Sequence, residues 1–270
     1  MPAFRVLVTG GNGFLGPFVV AALQRRGAEA VTVARSGGDV RIDLTQAGPR
    51  RELLAAIAPS AVLHLAARSR LAECEQDPAA ARAVNARLSG ELAAEFGNRL
   101  LYVSTDLVFD GRAAPYGEHA APGPLSVYGS SKAEGEELVR AHGGRIVRLP
   151  LLFGAGKAGL GASGMLRARL AAQQPVPLFP NEYRTPLHAA DAATALAQLL
   201  PLFDGPRLVH LPGPERVSRW EFGLRFCRLH GLPAALLQPV ECSDPMRPRD
   251  VSLAGSWQAP RDLEAMLRDA

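Results

Sequence analysis

Three glycines at a fixed interval, Gly10, Gly13 and Gly16, separate an apolar, β-branched run at residues 4–9 from an amphipathic pattern at 14–26. Apolar residues spaced for a strand, then Gly-x-x-Gly-x-x-Gly, then helical spacing, leave few folds open. Glycine at the first position permits a tight turn. At the second it lets backbone N–H groups come close to an anion, and at the third it lets the helix pack tightly on the strand. The N-terminus of the helix adds partial positive charge at the same place.

The alternation continues down the chain. Short apolar runs at 30–34, 61–65, 100–104 and 145–149 read as strands. They are separated by helical patterns at 50–57, 77–96 and 127–141, with a Gly/Pro-rich loop at 110–125. Strands joined by helices imply crossover connections and a parallel sheet, and near-continuous apolar strands such as Val6-Leu7-Val8 fit a sheet covered on both faces. Past Pro150 the character changes. Residues 154–164 are glycine-rich and read as a loop. Helical patterns follow at 165–173, 191–200 and 220–230, with a strand-like run at 207–211. The expected architecture is α/β: a doubly wound parallel sheet with a small C-terminal α/β lobe. Residues 1–150 form the first domain, with 185–202 packing back on it. Residues 151–184 and 203–270 form the lobe.

Composition removes several classes. The chain has 270 residues, 47% hydrophobic and 21% charged, enough to build a core. No apolar stretch reaches the roughly 18–20 residues of a membrane span, and the N-terminus runs straight into a strand without a secretory pattern. Cys74, Cys227 and Cys242 are odd in number and lack metal-ligand spacing, so neither a disulfide framework nor a metal site is expected, and a cytoplasmic location fits. The net charge of +4 comes from Lys and Arg totalling 30, of which only Lys132 and Lys157 are lysines. The arginines are scattered singly or in pairs, which reads as a solvated surface and not as a nucleic-acid face. A small-molecule substrate is the expected partner, and a homodimer is compatible with the reading.

The glycine loop, with Asn12, Phe14 and Leu15 between its glycines, is assigned to a dinucleotide. An acid at the end of the second strand binds the adenosine ribose in NAD enzymes. Here that place reads Ala34-Arg35-Ser36. Arg35 and Ser36 suit a 2′-phosphate, which favours NADP over NAD. Asp43 and Leu44 either reach the adenine or, for Asp43 with Thr45 beside it, make a local cap.

Tyr128 and Lys132 stand at i and i+4, one turn apart on one helix face. An ammonium beside a phenol stabilises the phenolate, so the pair can exchange a proton with a carbonyl oxygen while hydride moves to or from a nicotinamide. Thr105, at the C-terminal end of the fourth strand, can polarise that carbonyl, with Ser104 the second choice. Asp106 either binds a substrate hydroxyl or caps a turn. His64, inside an apolar run, reads as a core residue, and Asn85 as a structural or proton-path group. Arg184 and Arg247 are either phosphate or sugar contacts or members of surface ion pairs.

These segments resemble the extended short-chain dehydrogenases/reductases. The resemblance rests on Val8-Thr-Gly-Gly-Asn-Gly-Phe-Leu-Gly16, His64-Leu65-Ala66-Ala67, Ser104–Gly111 and Tyr128-x-x-x-Lys132. Pro124–Glu136, Arg184-Thr-Pro186 and Arg247–Leu253 narrow it to the dTDP-4-dehydrorhamnose reductase branch. The resemblance implies a Rossmann domain with a sugar-nucleotide lobe and reduction of a 4-keto sugar. It makes Thr105, Tyr128 and Lys132 the catalytic triad and sets Leu65, Ala66 and Ala67 along the cofactor. Two departures touch the substrate side: Leu151 replaces a tryptophan, and Arg68-Ser69-Arg70 replaces small and aromatic residues. A nucleotide-sugar epimerase or dehydratase retaining NAD, or a non-enzymatic regulatory homologue, are the rival expectations.

Overall fold

The computed structural model describes residues 4–156 and 159–270. The second lysine, Lys157, lies outside the described residues. In chain order the elements are β1 (Arg5–Thr9), α1 (Gly16–Arg25), β2 (Glu29–Ala34), β3 (Val40–Arg41), α2 (Ala47–Ile57), β4 (Ala61–His64), α3 (Leu71–Gln76), α4 (Pro78–Arg82), a π-turn at Ala83–Arg87, α5 (Leu88–Phe96), β5 (Leu100–Thr105), α6 (Val127–Ala141) and β6 (Arg145–Leu149). There follow β7 (Leu152–Phe153), α7 (Gly161–Ala171), β8 (Val176–Leu178), β9 (Tyr183–Arg184), β10 (Leu187–His188), α8 (Ala189–Leu199), β11 (Leu208–His210), β12 (Val217–Ser218), α9 (Arg219–His230), β13 (Leu237–Pro239) and α10 (Leu263–Arg268).

The central sheet has seven strands in the order β11-β6-β5-β4-β1-β2-β3. The pairs β1–β2, β1–β4, β2–β3 and β4–β5 are parallel. The order reverses at β1, where β2 lies on one side and β4 on the other. The loops at the C-terminal ends of these two strands therefore diverge and leave a crevice, the place where open α/β sheets bind ligands.

The chain divides into two compact units: 4–105 with 126–148 and 193–209, and 106–125 with 149–192 and 210–270. Residues 106–125, which the sequence reading put in the first domain, cluster with the second unit, and the returning segment is 193–209.

In the first unit one core joins sheet and helices: Leu7, Val62, Leu92, Phe96, Tyr102, Val139 and Ile146 are all at most 6% exposed. Burying each large apolar side chain contributes about 1.5–3 kcal/mol. Arg145 on β6 is buried, yet its guanidinium donates to the carbonyls of Asn98, Leu199, Leu200 and Leu202. It thereby adds donors to the carbonyls at the C-terminal end of α8 and the turn that follows. In the second unit Phe153, Phe222 and Phe226 pack in sequence, with ring centroids 5.2 Å and 6.4 Å apart. There α9 starts at a capping box, in which Ser218 accepts from the Glu221 N–H and the Glu221 carboxylate accepts from Ser218 N–H.

Candidate active site

The glycine loop behaves as its spacing predicts. Gly10 has φ +70°, and a Cβ there would lie 2.7 Å from the Ala66 backbone; at Gly16 it would lie 2.0 Å from the Gly11 carbonyl. No larger residue fits either position. The first turn of α1 has no side-chain cap, and Pro17 occupies its start, where the helix adds partial positive charge beside the loop. The Leu65 and Ala66 N–H groups bond Thr9 through its carbonyl and its hydroxyl, each at 3.2 Å, which draws the end of β4 against the loop. Asn12 Nδ2 donates to the Ser36 carbonyl and so joins the loop to the end of β2. The cradle fits a dinucleotide pyrophosphate.

At the end of β2, Arg35 and Ser36 are exposed. The Asp39 carboxylate accepts from Thr32 N–H and Thr32 Oγ1, both at 2.8 Å, bonds that hold its carboxyl below the usual carboxylate range. Asp43 accepts from Thr45 N–H and Oγ1, which is the local cap left open as an alternative. Two cationic side chains are exposed at this edge, Arg35 and Arg41, and Arg41 Nε donates to the Arg35 carbonyl.

Helix α6 begins where Ser126 Oγ accepts from Gly129 N–H and the Glu75 carboxylate accepts from Val127 N–H. That places Tyr128 in the first turn and Lys132 one turn on. Tyr128 is 9% exposed, Lys132 2% and Thr105 8%. Lys132 Nζ donates to the Val103 carbonyl at 2.7 Å and lies 3.9 Å from the centre of the Tyr102 ring. Burial pushes the lysine down to about 7, against the pull of the Glu136 carboxylate. The ammonium is thus held at the end of β5 in a form that changes protonation near neutrality.

What stands behind the pair is rigid. Gly135 brings α6 so close that a Cβ there would meet the Asn85 carbonyl at 2.3 Å. The same carbonyl accepts from Tyr102 OH at 2.8 Å and from Ser89 Oγ. Asn85 sits in the π-turn, a distortion found often at functional sites. Its side chain clamps the Arg68 peptide from both ends, Arg68 N–H to Oδ1 at 2.9 Å and Nδ2 to the Arg68 carbonyl at 3.0 Å, and donates to Ser131 Oγ. His64 is fully buried, with Thr9 Oγ1 at 2.6 Å and Ser89 Oγ at 3.0 Å from its two ring nitrogens. Burial lowers it to about 3, so it is a neutral core histidine. Ser104 Oγ is buried without a hydrogen-bond partner.

In the second unit, residues far apart in sequence form a buried charge cluster. Glu182, 2% exposed, receives Arg184 Nη2 at 3.2 Å and Arg247 Nη2 at 2.7 Å. Arg184 Nη1 reaches Asp106 at 3.3 Å. Arg219 completes the cluster. Its Nη1 is buried without a hydrogen-bond partner, and burial lowers its pKa to about 10 although Glu182 favours the charged form. The sequence reading named Arg184, Arg247 and Asp106 but missed Glu182 and Arg219, which carry no local motif. Among the described residues, no helix is long and apolar enough to cross a membrane, and no group of three or more His, Cys, Asp or Glu could hold a metal ion.

A doubly wound sheet with a glycine cradle at β1 and a Tyr–Lys pair on the helix after β5 defines a nucleotide-binding α/β protein. The chain belongs to the family described as "RmlD substrate binding domain", which it matches over residues 4–254. It is 30% identical to the methionine adenosyltransferase 2 subunit beta of Bos taurus over 94% of this chain and 81% of that one. It is 33% identical to the "Probable low-salt glycan biosynthesis reductase Agl14" of Haloferax volcanii, over 89% and 85%. The structure of dTDP-4-dehydrorhamnose reductase from Bacillus anthracis in complex with NADP superposes with a TM-score of 0.87 at 22% identity, over 99% and 97% of the two chains. That likeness is one of fold.

Proposed function

We propose that the chain is an NADP-preferring reductase of a 4-keto nucleotide-sugar-like substrate. The observation that carries this reading is Lys132, buried one turn after Tyr128, with Nζ on the Val103 carbonyl two residues before Thr105. Gly10, Asn12, Gly13, Phe14, Leu15 and Gly16 hold the pyrophosphate, Leu65, Ala66 and Ala67 line the cofactor, and Leu44 closes the adenine side. Arg35 and Ser36 take the 2′-phosphate, a reading supported by the engagement of Asp39 with Thr32 and of Asp43 with Thr45. The reduced nicotinamide supplies hydride. Tyr128 delivers the proton to the carbonyl oxygen, Thr105 donates a hydrogen bond to that oxygen, and Lys132 lowers the phenol's pKa and bonds the ribose.

On the substrate side, Arg68 is the candidate sugar contact in the first unit and Asp106 the candidate in the second. Arg184 and Arg247 present an anion-binding face whose charge Glu182 and Asp106 partly neutralise, which leaves Arg219 as the guanidinium best placed to gain a new partner. An anionic substrate such as a nucleotide sugar suits this cluster. The related reductase of Haloferax volcanii supports the reaction class.

Tyr128→Phe tests the assignment: turnover falls by about 10²–10⁴-fold while NADPH binding persists, and unimpaired turnover overturns it. A thermal-shift screen of nucleotide sugars with NADPH present identifies the substrate, because a ligand of the folded state raises the melting temperature. The subunit name of the Bos taurus relative favours a second reading, a dinucleotide-binding regulatory subunit. NADPH binding with no turnover of any keto nucleotide sugar would select it.

A further inference from the structure

We infer that the buried Glu136–Arg148 pair is an electrostatic positioning element, through which Glu136 keeps the Lys132 side chain in its ammonium form. Glu136 lies on α6 one turn beyond Lys132 and two turns beyond Tyr128, so all three share a helix face. Its carboxylate is engaged by Arg148 on β6, Nε to Oε1 at 2.9 Å and Nη2 to Oε2 at 2.5 Å, and both side chains are 1% exposed. Two ionised groups so far from water persist only through mutual compensation and hydrogen bonding, and such a pair is often no more stabilising than apolar residues of the same volume. Stability alone is therefore a poor reason for its presence.

The surroundings of Lys132 supply another. From β5 it faces the Val103 carbonyl and the Tyr102 ring, whose hydroxyl is held neutral, its pKa raised well above the ordinary value chiefly by burial. From β4, behind Tyr102, comes His64, stacked on that ring at 5.6 Å and uncharged. The π-turn and α5 present Asn85 and Ser89, which carry no charge. On α6 itself stand Tyr128 and Glu136, and Arg148 lies beyond Glu136. Among the described residues, the Glu136 carboxylate counters the desolvation of the ammonium. Arg148 holds that carboxylate in place through its two hydrogen bonds.

This arrangement makes a signed prediction. Removing the negative charge of Glu136 lowers the pKa of Lys132. A pair that merely ties α6 to β6 leaves it unchanged. The lysine content makes the measurement direct. In protein labelled with ¹³C at lysine Cε, Lys157→Arg leaves Lys132 as the only lysine signal, and its titration is read by NMR without any substrate. We expect Glu136→Gln to shift the midpoint down by about one pH unit. Glu136→Asp keeps the charge and stays within a few tenths of a unit of the parent. A Glu136→Gln midpoint matching the parent overturns the inference. Should Glu136→Gln fail to fold, the double variant Glu136→Gln with Arg148→Met, which leaves no buried charge unpaired, is expected to show the same downward shift, and a midpoint matching the parent overturns the inference. The consequence for catalysis rests on the reductase reading. If that holds, the alkaline limb of kcat/KM moves with the NMR midpoint. Signed NMR shifts in a protein that reduces no keto nucleotide sugar uphold the electrostatic inference and remove the reductase reading.

Discussion

The two units bury cations in opposite ways. In the first, Lys132 is a point charge with a backbone carbonyl and an aromatic face as its contacts, and its nearest carboxylate is already bound to Arg148. Its proton is loosely held, with a pKa near about 7. In the second, Arg184 and Arg247 are locked onto Glu182 and Asp106 by direct ion pairs, and a guanidinium keeps its charge at every accessible pH. A group that must exchange or tune a proton needs a cation that can lose one. A group that must only hold an anion needs a cation that cannot.

That contrast breaks first at Lys132. Lys132→Arg puts a permanent, forked cation where a titratable point charge stood, and turnover should fall by about 10²–10⁴-fold with NADPH binding, followed by fluorescence, retained. Turnover within a few-fold of the parent would show that any positive charge suffices. Next is Glu182→Gln, which leaves Arg184 and Arg247 without their shared carboxylate. Removing one partner of a buried ionic cluster costs about 3–5 kcal/mol, visible in denaturant unfolding, and a loss under about 1 kcal/mol would mean the cluster is wetter than its burial implies.

Arg219→Met sharpens the same region from the other side. It removes a cation whose Nη1 has no hydrogen-bond partner, so melting temperature should hold or rise, while affinity for a nucleotide sugar drops about tenfold, roughly 1.4 kcal/mol. Unchanged affinity by calorimetry would remove Arg219 from the substrate face.

The last effect is on stability against pH. Lys132 has a folded pKa of about 7, against 10.5 for an unperturbed lysine. Between these values the unfolded chain binds the extra proton, so this residue makes stability rise with pH across that window, by up to about 1.4 kcal/mol per pH unit. Below pH 7 both states are protonated and the contribution is flat. Lys132→Met should lose this rise in urea titrations at pH 7.5 and 9.5; an identical slope in parent and variant would contradict the buried ammonium.

Much of this was legible from residue order. Gly10, Gly13 and Gly16 mark the β1–α1 turn because their demands are local: one positive φ and two close backbone approaches. Helix α6 and strand β6 match the expected 127–141 and 145–149, since each carries a complete periodic pattern. The helix expected at 77–96 is instead α4, a π-turn and α5, with α3 before them. Asp77 caps Ala80 N–H and Pro78 opens α4, while Tyr102 and Ser89 take up the Asn85 carbonyl within the π-turn. The helix α7 begins inside the segment expected to be a loop, and pairs such as β7–β10 and β8–β13 are too short to show any period.

The sequence by itself determined the α/β class, the glycine cradle, the cationic end of β2 and the Tyr–Lys spacing, because each depends on neighbours within one turn or one strand. Only the tertiary structure decided which charges meet: Glu136 with Arg148, Glu182 with Arg184 and Arg247, Lys132 with the Tyr102 ring. Charges interact through space, and the separations that decide whether a lysine near Tyr128 keeps its proton are set by how sheet and helices pack. The scarcity of lysine pointed at Lys132. Its burial, and the carboxylate one turn behind it, give that lysine a proton to tune.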